Sequence, residues 1–434
     1  MTTRDDGTTP LAAGRPGPTG ASVDVDGLRR RTLAVLAAAQ VLGGLAAGSV
    51  VSVGSLLAVE LSGARAWAGS VTTASTLGAA LGSLALARLA VAHGRRRALS
   101  TGLALATAGA AGIVLAAVLA FFPLLLVAGA LLGVGASVAL QSRFAATDLS
   151  TPATRSRDLS VVVWASTVGA VVGPNLVKLD EPVARLTGLP ALTGVFVFVA
   201  AGLLGALVVV QVGLRPDPLD VAGRLSGAPG TRQHVPLRRA VATLRRHPRA
   251  AAAVVGVLTA HGVMVAVMSV TSVHLEDHGG SLSAVGVTIS LHLGAMFAFA
   301  PLMGLLADAV GPRPTLVTGL VVLVLGAAVC GAAGGDHVVV TVGLGLVGLG
   351  WSAATVAGSS IVSGDVPPPD RVAVQGLSDA MMSLAGAGGG LLAGVGLQLA
   401  GYSGIAATSA VVGLLGAAAV VVVSRRGGRE APTG

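Results

Sequence analysis

Seven side chains able to carry charge or hydrogen bonds stand inside stretches that are otherwise apolar: Gln40, Gln141, Arg143, His261, His292, Trp351 and Asp379. A carboxyl in apolar surroundings resists ionisation and can load and release a proton. That suits Asp379, with Gln375 one turn earlier on the same helical face; a cap or ion-pair partner is the plainer role. Histidine titrates near neutrality, so His261 and His292 fit either proton handling or packing. An arginine in hydrocarbon costs roughly 2.5–3.5 kcal/mol on insertion scales unless it finds water or a partner. Arg143 is either such a buried functional charge or one that snorkels to a nearby surface. Gln40, Asn175 and Trp351 read as cavity liners or as packing groups. His274 and His278, four residues apart, could share a metal ion on a continuing helix. His278-Gly279-Gly280 breaks that helix and no cysteine joins them, so no metal is expected. Walker loop, nucleophile elbow and zinc-protease motif are all missing, so no catalytic residue, enzymatic reaction or cofactor is expected.

The elements that hold these residues are set by composition. Hydrophobic residues make up 53% of the 434 and charged residues 11%, with a mean hydropathy of +0.84. A soluble domain carries about 25% charged residues, so this chain is built for lipid. Its 63 glycines fit closely packed membrane helices. A span needs about 20 apolar residues, and that ruler gives twelve, at about 32–59, 67–92, 98–120, 123–146, 159–178, 190–213, 250–274, 282–307, 315–333, 337–363, 372–398 and 404–424. The expected fold is therefore all-α, twelve transmembrane helices in two six-helix halves. The halves are 28–213 and 250–425, joined by a linker over 214–249 and flanked by tails at 1–27 and 426–434. Residues 1–27, with four aspartates among Gly, Pro and Thr, resemble a disordered tail and not a signal peptide. The lone Cys330 excludes a disulfide framework.

The net charge of +9 does not point to nucleic acid, because the arginines fall in alternate polar breaks. Arg29–Arg31, Arg95–Arg97, Arg155, Arg157, Arg313, Arg371, Arg425, Arg426 and the linker arginines share one side; Arg65, Lys178 and Arg185 lie on the other. The basic side is expected to be cytoplasmic, which puts both termini and the linker inside, in a multi-pass protein of the inner cell membrane.

Half the chain length, 217 residues, separates Ala87 from Gly304, and both open a polar break: Ala87–Arg97 and Gly304–Pro314. Gly94 then matches Gly311, while Val91 stands where Asp308 stands. The same offset takes Glu60 to Asp277 and Asp148 to Asp365. Four matches at equivalent places indicate a duplicated six-span unit, inserted as parallel repeats.

The loop Gly304-x-Leu306-x-Asp308-x-x-Gly311-x-Arg313 resembles the gate-loop motif of the major facilitator superfamily, and the resemblance covers about residues 28–425. The first copy keeps Gly94, Arg95 and Arg96 but lacks the motif's first glycine and its aspartate. Gly169-Ala-Val-Val-Gly173-Pro174 is similar to the core of the antiporter motif of drug–proton exchangers, although Ser160 occupies the usual upstream glycine. The resemblance implies alternating access by a monomer in the bilayer that moves a small molecule, driven by H+ and directed outward. An importer of a small organic metabolite and a non-transporting membrane sensor are the competing readings. It also implies that Asp308 accepts hydrogen bonds from the N-terminus of span five as a gate lock. Val91 cannot form the corresponding lock on span eleven, so a single latch is expected, with Arg95–Arg97 largely a topology signal.

Overall fold

A computed structural model describes residues 24–64, 67, 69–175, 180–190, 192–226 and 236–429. Sixteen helices follow in order: α1 (Val25–Gly43), α2 (Leu45–Ser62), α3 (Ser70–His93), α4 (Arg95–Val118), α5 (Phe122–Ala145), α6 (Arg155–Asn175), α7 (Asp180–Thr187), α8 (Gly194–Gly213), α9 (Pro218–Leu225), α10 (Leu237–Arg246), α11 (Pro248–Asp277), α12 (Leu282–Phe297), α13 (Ala300–Val310), α14 (Pro312–Ala332), α15 (His337–Asp365) and α16 (Pro368–Arg429). No strand occurs among the described residues. In lipid every backbone N–H and C=O must be satisfied within the segment, and a helix does this. Proline opens α5, α9, α11 and α14 within their first two positions, where its missing N–H costs nothing. Asp336 caps α15 by accepting from the amides of Val338 and Val339.

Among the described residues, nine helical stretches are long and apolar enough to cross a membrane. The expected spans overlay helices, with three refinements. Span one divides at Gly44 into α1 and α2, and span eight divides into α12 and α13. Spans eleven and twelve lie within α16, which is interrupted at Gly401, φ +67°.

Two separate apolar cores divide the molecule. One gathers Leu36, Leu99, Leu132, Phe196 and Leu203 from α1, α4, α5 and α8. The other gathers Val257, Met264, Leu320, Leu344, Trp351 and Val420 from α11, α14, α15 and α16. Two smaller clusters bridge them. Leu159 and Val163 of α6 meet Ala300 and Met303 of α13, and Ala87 and Ala90 of α3 meet Val372 of α16.

Two boundaries differ from expectation. The helix begins inside the expected tail, because Asp24 caps α1 by accepting from the Gly27 amide at 2.9 Å. The linker is not a plain loop. It carries α9 and α10, and α10 is held to α16 by Arg239 and Thr243, each 2.8 Å from the Asp370 carboxylate. Residues 227–235 of the linker, and the tail up to residue 23, lie outside the described residues.

Candidate functional site

The α3–α4 and α13–α14 turns are built alike. Gly94 and Gly311 sit at φ +90° and +98°, a region that glycine enters without a Cβ penalty. Each lets the chain reverse within one residue and start the next helix, so the end of α3 or α13 is pressed against the opposite half.

At the second copy, Asp308 accepts from the backbone amides of Ser156 and Arg157, both at 3.0 Å. These are free N–H groups in the first turn of α6, where the helix dipole also favours a negative charge. Gly304 lies one turn earlier against Ser160, which a Cβ there would strike. The Ser156 hydroxyl donates to Ser360 Oγ on α15 at 2.8 Å. Arg313 lies only 3.8 Å from Asp365, about one third exposed, and adds little.

At the first copy, Val91 packs with Ala87, Ala90, Ala98 and Val372, so an apolar contact stands where a carboxylate was missing. Arg95 is not a surface topology charge. It is 1% exposed, and it donates through Nε to Asp148 at 2.9 Å and through a terminal nitrogen to Gln375 Oε1 on α16 at 2.7 Å. Gln375 in turn donates to Ser363, which also accepts from Thr147. Of the two turns, the second sets a carboxylate, Asp308, against the opposite half, while the first meets that half through apolar packing at Val91 and through Arg95. The backbone N–H of Arg96 is bound from the linker instead, by Asp217 at 2.8 Å.

Deeper in the bundle, Arg143 of α5 donates to Asp379 of α16 at 2.6 Å and to Ser359 of α15 at 3.0 Å. Both charged side chains are at most 3% exposed. The guanidinium also lies 4.7 Å from the Phe144 ring centroid. Arg143 thus does not snorkel; it is an ion-pair partner across the halves. The second Asp379 oxygen has no partner among the described residues. Removing one member of such a pair strands a buried charge and costs about 3–5 kcal/mol.

The other predicted residues are divided by the structure. Trp351 Nε1 donates to His261 Nδ1 at 3.0 Å, joining α15 to α11, and its ring meets Phe297 edge-on. His292, on α12, is fully buried and bonded to Leu344 O of α15 at 2.8 Å. Gln141 donates to Ser83 O of α3 at 2.9 Å, and Gln40 donates to Ser166 of α6 at 3.1 Å; both tie helices within one half. Gly169 crosses Gly44 at the α1–α2 break so closely that a Cβ on either would meet the other's backbone. The side chains of Gly173, Pro174 and Asn175 lie outside the described residues. His274 stacks on Tyr402 and bonds Gly334 O, and no metal-holding group occurs among the described residues.

Ser359, Ser360 and Ser363 on α15, Thr147, Ser156 and Asp217 escaped sequence reasoning. The four-residue spacing of Ser359 and Ser363 was the one available signal that α15 carries a hydroxyl face.

The model of the family described as "Major Facilitator Superfamily" matches residues 36–277 and 253–434. The chain belongs to the major facilitator superfamily. It is 35% identical to the uncharacterized MFS-type transporter YdeG of Bacillus subtilis, covering 89% of this chain and 90% of that protein. It is 30% identical to the riboflavin transporter RfnT of Brucella anthropi, covering 81% and 85%. The fold overlays the proton:xylose symporter XylE with a TM-score of 0.71 at 15% identity, covering 91% and 95%. It overlays the human organic anion transporter MFSD10 at 0.69 and 18%, covering 90% and 99%. This superfamily member is thus a multi-pass membrane protein with the fold of a secondary transporter.

Proposed function

We propose that this protein is a proton-coupled secondary transporter that exports a small molecule by alternating access. Twelve spans form the two halves, and the basic end, with both termini, faces the cytoplasm of a bacterial inner membrane. The observation that carries the reading is the buried Arg143–Asp379 pair. It joins the halves, it holds one titratable carboxyl in apolar surroundings, and one of its oxygens has no partner among the described residues.

In this reading the structure is the state closed to the cytoplasm. Asp308 on α6 and Arg95 with Gln375 hold that end shut. Protonation of Asp379 discharges its bond to Arg143, which favours separation of the halves. Outward direction rests on Gly169, Gly173 and Pro174, the antiporter-like segment of α6. His261 and Trp351, one helix away, are proposed to line the substrate path.

A second reading is import of an organic metabolite, and its support is the 30% identity with a riboflavin transporter. Proteoliposomes with an imposed pH gradient and a compound panel that includes riboflavin test both. Substrate-dependent collapse of the gradient supports proton exchange; co-directional uptake of riboflavin with protons replaces export by import. A panel in which no compound moves protons contradicts the coupling.

A further inference from the structure

The linker does more than connect the halves. Arg215–Arg224 folds back under the α3–α4 turn, and a cavity of about 350 Å³ opens there. It is lined by His93, Arg96 and Arg97 from that turn and by Arg215, Asp217 and Arg224 from the linker, with Asp220 beside them. Four arginines against two aspartates leave a formal charge of +2 with His93 neutral.

The wall between the two segments is built, not incidental. Asp217 accepts from the Arg96 amide at 2.8 Å and from the Leu219 amide at 3.0 Å, so its two oxygens are turned to the backbone. A side chain at Gly94 would run into that carboxylate, with the added Cβ 2.5 Å from its oxygen. The arginines converge from positions more than a hundred residues apart, and Arg97, Arg215 and Arg224 are exposed to an incoming ligand. Arginine presents a planar fork of donors matched to phosphate oxygens. The cavity lies where α3 and α8 end and α4 begins. This is headgroup depth for helices that cross a bilayer, and basic pockets between such helices bind anionic headgroups.

We infer that the cleft formed by His93, Arg96, Arg97, Arg215 and Arg224 binds a phosphate ester, supplied by an anionic phospholipid headgroup or by a soluble phosphate compound. The site is separate from the Arg143–Asp379 pair and does not depend on the direction or coupling of transport.

The test uses the full chain in phosphatidylcholine nanodiscs doped with phosphatidylglycerol, with retained lipid counted by native mass spectrometry. The wild type is expected to hold one phosphatidylglycerol per chain. An Arg97→Gln/Arg215→Gln/Arg224→Gln variant is expected to hold it at least about tenfold more weakly. An Arg238→Gln/Arg245→Gln/Arg246→Gln variant removes equal charge from the exposed face of α10 and is expected to match the wild type. The corresponding arginine-to-lysine pocket variant keeps the charge but not the planar fork and should hold the lipid more weakly than the wild type and more tightly than the glutamine variant, which separates lost binding from misfolding. Glycerol 3-phosphate titrated into undoped discs separates the sources: saturable binding there without phosphatidylglycerol retention assigns the cleft to soluble phosphate esters. Equal losses in the pocket and α10 variants, or no retention of either anion by the wild type, overturn the site.

Discussion

The two seams between the halves are built around turns of the same shape, yet they are closed by different physics. On the α13–α6 side, a single half-buried carboxylate, Asp308, caps two backbone amides and a glycine, Gly304, permits close approach. On the α3–α16 side the glycine has changed partners. Gly376 of α16 receives Ala87 of α3, and a Cβ on Gly376 would collide with it. No acid stands at Val91, which packs near Val372, and closure falls to buried charge: Arg95 on Gln375, and Arg143 on Asp379. In the proposed mechanism both seams must close, but only one needs to carry the titratable group. The difference teaches that the loop motif is one solution to a steric and hydrogen-bonding problem, and that apolar packing with a buried ion pair is another.

The comparison can be broken most sharply at the ion pair. Arg143→Ala leaves Asp379 as an uncompensated buried charge. A loss of about 3–5 kcal/mol in thermal or denaturant unfolding, with transport abolished, is expected. Unchanged stability would mean that closure on this side does not rely on the Arg143–Asp379 pair.

Asp308→Asn comes next. Exchanging charge-assisted bonds for neutral ones should favour opening by roughly 2 kcal/mol. Spin-label distances across the basic end should then show more than about a tenfold gain in the open population, and transport should fall with it. A distribution like that of the wild type would reduce Asp308 to a helix cap.

Gly376→Ala probes packing alone and should cost about 1–2 kcal/mol by crowding Ala87. The double variant with Ala87→Gly should recover most of that loss. Failure to recover would place the conflict at Ser83 O, the other atom close to Gly376.

Val91→Ala is the smallest change. A cost of at most about 1 kcal/mol and transport within about twofold of the wild type are expected. A defect as large as that of Asp308→Asn would erase the asymmetry between the seams.

Much of this arrangement was legible in the sequence. The offset between Ala87 and Gly304 located both turns, and the loop's resemblance to the superfamily's gate motif implied that Asp308 binds the start of α6. The charge at Arg143 and the carboxyl at Asp379 stood out against apolar neighbours. Their pairing did not, because 236 residues separate them and helices apolar on every side do not mark which face meets which. For the same reason the sequence did not show that His292 bonds the Leu344 carbonyl while His261 meets the Trp351 ring nitrogen, both inside the C-terminal half. Arg95 was hidden among three arginines, and only its position after Gly94 turns it inward. Asp217 was hidden differently: a linker aspartate followed by proline looks like a loop residue until α4 is placed beside it.

Proton-driven transport by Asp379→Asn in proteoliposomes tests the central claim most directly. Asparagine keeps the shape and cannot exchange a proton, so substrate counterflow should persist while transport driven by a pH gradient is lost. Gradient-driven transport at the wild-type rate in that variant would contradict Asp379 as the coupling group.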